Sequence, residues 1–415
     1  MDRTIVNCPE TFTYHNLSNG LRIVHLCHPS DVEYCGVAVR VGSRDERPGE
    51  EGLAHFVEHT IFKGTARRRS WHIINRMEAV GGELNAYTTK EETTIYSAFP
   101  LGNLDRAAEL IADLTIGSVF PQAQIDKERE VVAEEIDSYL DSPSEAVFDD
   151  FEDLIFSGTP LGHNILGNRH ALATFDSAKC REFLHRFYVA GNMVFFYAGP
   201  AAPDRVFRVV EKHFTPLPDA EINRPDTPLP NQAPFRNRRD DQDNHQAHNI
   251  IGARVCSIHS PARHSIALLN NIIGGPGMNS RLNIILREKR GLVYTVDSST
   301  SIMTDAGLLT IYFGCNPDDI DRCVNLIFSE LRKLAENPLT DRVLQAAKRQ
   351  YIGQMIVSAA SIEQLILSAA RATLLLGSAR TISQTAAAIN NLTPADIQTA
   401  AQTLHPTRCS LLTLA

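Results

Sequence analysis

Two stretches of this chain carry the same pattern at a fixed offset, so the fold must contain one design twice. Thr94-Ile95-Tyr96 is followed by Leu104-Asp105-Arg106. At an offset of 216 residues, Thr310-Ile311-Tyr312 is followed by Ile320-Asp321-Arg322. After each Asp-Arg pair comes an amphipathic helical stretch, 107–114 in one half and 323–334 in the other. A period of half the chain implies duplicated domains, not the short units of a solenoid. Between the halves, Thr215 to Pro234 contains Pro216, Pro218, Pro225, Pro228, Pro230 and Pro234. Such a run suits neither a helix nor a central strand, so it reads as an extended connection. The predicted division is a first domain over 1–214, a linker over 215–236 and a second domain over 237–415.

Each half reads as strands followed by helices. Segments 21–26, 34–41, 93–99 and 308–313 are apolar or alternating and rich in β-branched residues, the pattern of strands. Helical stretches are expected over 126–141, 326–335 and 341–358. The predicted fold class is therefore α+β: two homologous domains, each a largely antiparallel sheet with helices packed on it. At 415 residues there is ample chain for two cores.

Composition excludes several classes of function. The net charge of −9 argues against nucleic acid as the main partner, which would call for a basic face. No apolar run approaches the length that spans a bilayer, so no membrane partner is expected. The N-terminal stretch 1–9 lacks the regions of a signal peptide. Eight cysteines (Cys8, Cys27, Cys35, Cys180, Cys256, Cys315, Cys323, Cys409) are scattered without C-x-x-C pairs. They read as free thiols of a reducing compartment, and the expected location is cytoplasmic.

The chemistry is concentrated in His55-Phe56-Val57-Glu58-His59. On a helix, residues four apart share a face, so His55 and His59 can present two imidazoles to one metal ion. Glu58, one residue earlier than His59, reaches the same place. Neutral nitrogens suit zinc, and a carboxylate that is not a ligand can deprotonate a water activated by the metal. The order H-x-x-E-H is the zinc helix H-E-x-x-H reversed. A solvated surface helix would also satisfy this spacing. Leu53, Phe56, Val57 and Ile61, however, make the helix mostly apolar, and a shared metal accounts for polar groups in such a setting. A catalytic zinc needs a third protein ligand and an open position. Downstream, Glu128 and Glu135 lie seven residues apart on an acidic helical stretch, so they share a face about 10.5 Å apart along the axis. One of them can ligate while the other orders the surroundings. By sequence alone Glu134 is a rival ligand, and a charge run on a helix is ordinarily a solvated face.

Taken together, these residues resemble the pitrilysin (insulinase) family of zinc metallopeptidases, in which H-x-x-E-H is followed some 75 residues later by E-R-x-x-x-x-x-E. The resemblance makes Glu135 the third zinc ligand and Glu128 the auxiliary acidic residue. Phe62-Lys63-Gly64-Thr65 follows the zinc helix as in relatives. Gly81-Gly82-Glu83-Leu84-Asn85-Ala86-Tyr87-Thr88 resembles the family's substrate-binding edge strand, with Asn85 and Ala86 at the peptide-binding positions. Pro160-Leu161-Gly162-His163 and Leu166-Gly167 match a loop of the first half. In the second half, Ser280-Arg281-Leu282 and Leu286 to Tyr294 resemble the C-terminal signature, in which Arg287 and Tyr294 help bind substrate. The 216-residue shift carries His55, Glu58, His59 and Glu135 onto Asn271, Gly274, Gly275 and Tyr351, so one Zn²⁺ per chain is expected.

The implied activity is zinc-dependent endopeptidase action on extended or unfolded peptides, with Glu58 as general base. The implied architecture is half of a clamshell. Arg287 and Tyr294 of one chain would then serve the zinc of a partner. A homodimer is the simplest arrangement, with a heterodimer containing a metal-free sister subunit as the variant. A non-catalytic scaffold and a module that holds peptides uncut are the competing expectations. Other residues carry less. His163 and His170 read as surface or packing residues, Trp71 as the anchor of a helix start, and His245 and His248 as solvated.

Overall fold

The computed structural model describes residues 11–220, 222, 224, 229–231, 233–240 and 246–415. The N-terminal stretch 1–9 with Cys8, the linker prolines Pro225 and Pro228, and His245 lie outside the described residues.

Eleven strands form two sheets among the described residues. The strands of the first half are β1 (Phe12–Asn16), β2 (Arg22–Cys27), β3 (Val32–Val39), β4 (Glu83–Thr88), β5 (Thr93–Pro100) and β6 (Met193–Gly199). They order as β1-β2-β6-β3-β5-β4, with only β2 and β6 parallel. The second sheet uses β7 (Arg236–Arg239), β8 (Ala247–Val255), β9 (Val293–Ile302), β10 (Gly307–Cys315) and β11 (Ser410–Leu414). Its order is β7-β11-β8-β10-β9, with only β7 and β11 parallel. The predicted largely antiparallel α+β architecture is therefore the observed one.

The repeat is visible in the elements. The Thr-Ile-Tyr patterns fall in β5 and β10, and the helices after them run Leu104–Gly117 and Ile320–Glu336. The expected helices over 126–141 and 341–358 are Gln122–Leu140 and Asp341–Ser358. β10 is buried along its whole length because both its faces are covered. Leu309, Ile311 and Phe313 face one core, and Leu308 and Tyr312 the other. A strand covered on both faces reads as a continuous apolar run, which is how 308–313 reads.

The compact units are not the contiguous halves. One comprises 1–136, 164–226 and 358–382; the other comprises 137–163, 227–357 and 383–415. Helix Pro143–Ile155, from the first half of the sequence, packs on β8 and β11 through Val147, Phe151 and Ile155. Helix Ile362–Leu376, from the second half, packs on β6, β3 and β2. It is held there by Arg22 Nη1 donating to Thr373 O at 2.9 Å and by the Tyr96 hydroxyl donating to Glu363 Oε1 at 2.7 Å. Ile366 and Leu374 of this helix are buried, each worth about 1.5–3 kcal/mol of transfer free energy. The 216-residue shift carries one of these helices approximately onto the other. The duplicated designs thus exchange equivalent helices, a departure from the contiguous division read from the sequence.

Two local expectations differ from the structure. Trp71 stands at the start of helix Ser70–Glu78 but is 66% exposed, so burial of its ring anchors nothing. His248 is not solvated: it is half-buried in β8, and its Nδ1 lies 2.8 Å from the Tyr312 hydroxyl. Burial also lowers its pKa. The seven described cysteines are free, as expected.

Candidate metal centre

The H-x-x-E-H segment lies on helix Leu53–Ile61 of the first unit. Gly52 opens the helix with φ +96°, and a Cβ there would lie 2.5 Å from Leu166 O, so glycine is required on both counts. The N-terminal amides are capped from outside the helix. Glu46 accepts from Gly52 N at 2.9 Å and from Ala54 N at 2.7 Å. Leu53, Ala54, Phe56, Val57 and Ile61 are buried in the first core, and this fixes the rotation that turns His55, Glu58 and His59 toward the helix Gln122–Leu140 and β4.

There the predicted ligands converge. Atoms of His55, His59 and Glu135 able to bind a metal lie within 4.8 Å of one another, the one such cluster found among the described residues. His59 Nε2 is 3.5 Å from Glu135 Oε2, and His55 Nε2 is 3.9 Å from Glu135 Oε1. Two donors each bonded to one tetrahedral zinc ion are separated by about 3.4 Å, so the set fits such an ion with small adjustments. Glu134, the rival by sequence, is exposed and outside the cluster. Glu135 is 42% exposed, which leaves one side of the cluster open to solvent.

The protonation state of His55 suits ligation. Burial pushes His55 down to about 3, with the neighbouring His59 adding to the effect, so its imidazole is neutral at pH 7. Its Nδ1 is buried without a hydrogen-bond partner among the described residues. Burial alone would lower His59 too, but a hydrogen bond to Glu128 and the charges of Glu58, Glu135 and Glu128 outweigh it and raise its pKa. His59 Nδ1 lies 3.2 Å from Glu128 Oε1, and Lys63 Nζ lies 2.8 Å from Glu128 Oε2. Burial works to raise Glu128, but the hydrogen bonds from His59 and Lys63 hold its carboxyl below the usual range. A carboxylate on Nδ1 fixes the tautomer that leaves Nε2 free to ligate, the carboxylate–histidine–metal arrangement. Glu128 therefore contacts His59, one of the candidate ligands.

Glu58 is half-buried beside this set. Burial raises its pKa; a hydrogen bond with Thr88 and the charge of His59 oppose the rise, and Glu135 adds to it. A carboxylate tuned upward is suited to accept a proton near neutral pH. Two neighbours escaped the sequence reading. Thr88 closes β4 and works to lower the Glu58 pKa. Tyr188 has a buried hydroxyl with no hydrogen-bond partner among the described residues, and burial, with Glu58's charge adding, pushes its pKa up. Thr88 ends the stretch that resembles the family's edge strand but was given no role there, and Tyr188 belongs to no motif.

The remaining expected residues fall in two places. Asn85 and Ala86 lie in β4, the outermost strand of the first sheet, with Asn85 exposed. Arg287 and Tyr294 belong to the second unit. Arg287 is exposed on a π-helical turn, Asn283–Glu288, and Tyr294 is 66% exposed on the outer strand β9. His163 and His170 take no part in a metal-ligating cluster among the described residues.

Comparison with known proteins follows the same division. Residues 23–169 match the family described as insulinase (peptidase family M16), and residues 174–351 match the peptidase M16 inactive domain. A protein of Streptomyces coelicolor described as an uncharacterized zinc protease is 32% identical over 406 residues, 95% of this chain and 87% of that one. Another of the same description from Bacillus subtilis is 30% identical over 371 residues, 89% of this chain and 90% of that one. Among solved structures, a protease from Helicobacter pylori superposes with a TM-score of 0.91 at 22% identity, over 98% of this chain and 99% of that one. With both halves matched and the likeness running nearly end to end, the chain belongs to the insulinase family, peptidase family M16.

Proposed function

We propose that this protein is a zinc-dependent endopeptidase acting on extended or unfolded peptides. The observation that carries the reading is the convergence of His55, His59 and Glu135 from two helices, with Glu58 beside them. His55, His59 and Glu135 would hold the ion. When bound, zinc supplies Lewis-acid chemistry, drawing electron density from a peptide carbonyl and making water a nucleophile near neutral pH. Glu58 takes the proton from the attacking water and delivers it to the leaving amine nitrogen. Glu128 holds His59 in the tautomer that ligates.

The peptide would add to the outer edge of β4 at Asn85 and Ala86, because an unpaired strand edge offers backbone donors and acceptors to an extended chain. Such binding reads backbone and excludes folded proteins. Cleavage of an unstructured peptide is expected, lost on treatment with a chelator and restored by stoichiometric Zn²⁺. Peptide binding without turnover at saturating zinc would instead indicate a scaffold.

Arg287 and Tyr294 would donate to the substrate carbonyl region. The reading extends to a homodimer in which each chain's Arg287 and Tyr294 serve its partner's metal centre. Mixing a Glu58→Gln chain with an Arg287→Ala chain is then expected to restore one functional site per mixed dimer. No recovery after verified subunit exchange would exclude that arrangement.

A further inference from the structure

We propose that Glu330 is a positioning residue for Arg287: through its ion pair with Arg281 it fixes the π-helical turn that sets where the Arg287 guanidinium points. The proposal rests on the peptidase reading above, in which Arg287 meets the substrate, and adds to it a residue that no motif marks.

Arg287 is exposed, so the backbone beneath it sets the direction in which its side chain leaves the surface. That backbone is the turn Asn283–Glu288, in which Lys289 N donates to Ile284 O, five residues back, at 3.0 Å. Such turns are rare and occur mostly as single turns, frequently at functional sites. An α-helix advances about 100° per residue, and the wider π turn advances less. A segment that relaxed to an α-helix would therefore present Arg287 in a different direction. Several contacts hold the turn as it is. Leu282 and Leu286 are buried in the second core, and Asn283 Nδ2 donates to Met278 O at 2.6 Å. Two residues before the turn, Arg281 Nη1 donates to Glu330 Oε1 at 2.5 Å.

Glu330 stands on helix Ile320–Glu336 and is only 6% exposed. Its other cation, Lys333 Nζ at 3.4 Å, belongs to a side chain that is 64% exposed, so water weakens that contact and Arg281 is the main partner. Burying a carboxylate costs desolvation that an ion pair scarcely repays, so such a pair is weak evidence of a gain in stability. Its best-attested use is to fix one register among several. The first half shows what a tie of this kind holds. There Arg68 meets Glu109 and Asp113 on helix Leu104–Gly117, the counterpart of Ile320–Glu336, at 2.7 and 2.6 Å. Arg68 lies just before helix Ser70–Glu78. In each half the tie thus anchors the start of the element that follows, and in the second half that element is the π turn carrying Arg287.

The test combines Arg281→Met with Glu330→Leu, removing both charges. The 216-residue shift carries Glu330 onto Leu114, which is fully buried, so leucine suits this place in the design. Replacing a buried ion pair by apolar groups is often neutral or stabilising, so Tm is expected to be no lower than that of the wild type. Even so, kcat/KM for an unstructured peptide is expected to fall about tenfold, with zinc content unchanged. In an Arg287→Ala background the same two substitutions should change kcat/KM by less than about twofold, because the group they misplace is gone. Full activity in the double variant overturns the proposal, as does a loss of equal size in both backgrounds or one that accompanies loss of zinc. Should the double variant fail to fold, Glu330→Gln, which keeps the shape and removes the charge, is read by the same outcomes. Hydrogen–deuterium exchange needs no activity. Amides over 283–292 are expected to exchange at least about tenfold faster in the double variant, with β8 and β10 at wild-type rates. Unchanged exchange over 283–292 shows that the pair does not hold the turn and overturns the proposal. If the wild-type chain cleaves nothing, the peptidase reading fails, and the tie is still decided by exchange.

Discussion

Glu58→Gln is expected to lower kcat for an unstructured peptide by about 10²–10⁴-fold while zinc content stays at one ion per chain. Gln has the size and shape of Glu but cannot accept and release a proton in this pH range. None of the ligand contacts changes, since His55, His59 and Glu135 meet one another without Glu58. Loss of turnover with metal retained would separate the role of a base from that of a ligand. The measurement is steady-state hydrolysis of a quenched fluorescent peptide beside metal analysis of the same sample. A Glu58→Gln chain with wild-type kcat would remove Glu58 from the mechanism. One that lost its zinc would make Glu58 a ligand and overturn the assignment of Glu135.

Glu135→Ala is expected to weaken zinc binding by more than about a hundredfold, a larger loss than removal of a group that only orients a ligand. Glu135 is the one member of the cluster on helix Gln122–Leu140, and its two oxygens lie 3.5 Å from His59 Nε2 and 3.9 Å from His55 Nε2. Removing it leaves two imidazoles to hold the ion. Glu135 is 42% exposed, so the metal-free protein should lose no more than about 0.5 kcal/mol of stability. The neighbouring substitution Glu134→Ala provides the control, because its side chain is exposed and outside the cluster. Competition with a zinc indicator, together with unfolding of both metal-free variants, gives the comparison. Zinc lost from Glu134→Ala and kept by Glu135→Ala would reverse the ligand assignment.

Several features were legible before any coordinates. The His55–Glu58–His59 spacing places three groups on one helix face because helical geometry is local, and the same holds for Glu128 and Glu135. Helix Asp341–Ser358 was read with its exact limits, and β5 and β10 to within two residues at each end, since their apolar patterns are long and bounded. Trp71 and His248 were misread for one reason. Sequence shows where a residue stands in its element but not what covers it, and Trp71 is uncovered while His248 sits against Tyr312.

By itself, the sequence determined the duplicated α+β design, the helix carrying two imidazoles and a carboxylate, and the absence of equivalent ligands in the second half. Each of these is a matter of periodicity or spacing within one stretch of chain. Only the tertiary structure decided that Glu135 and not Glu134 meets the histidines, and that Glu128 contacts His59. It also decided that helices Pro143–Ile155 and Ile362–Leu376 each pack on the sheet of the other half. Apolar spacing states which side of a helix must be covered, but any sheet with a free apolar face satisfies it. The choice between two similar sheets is made by packing and by pairs such as Tyr96 with Glu363, which lie far apart in the chain.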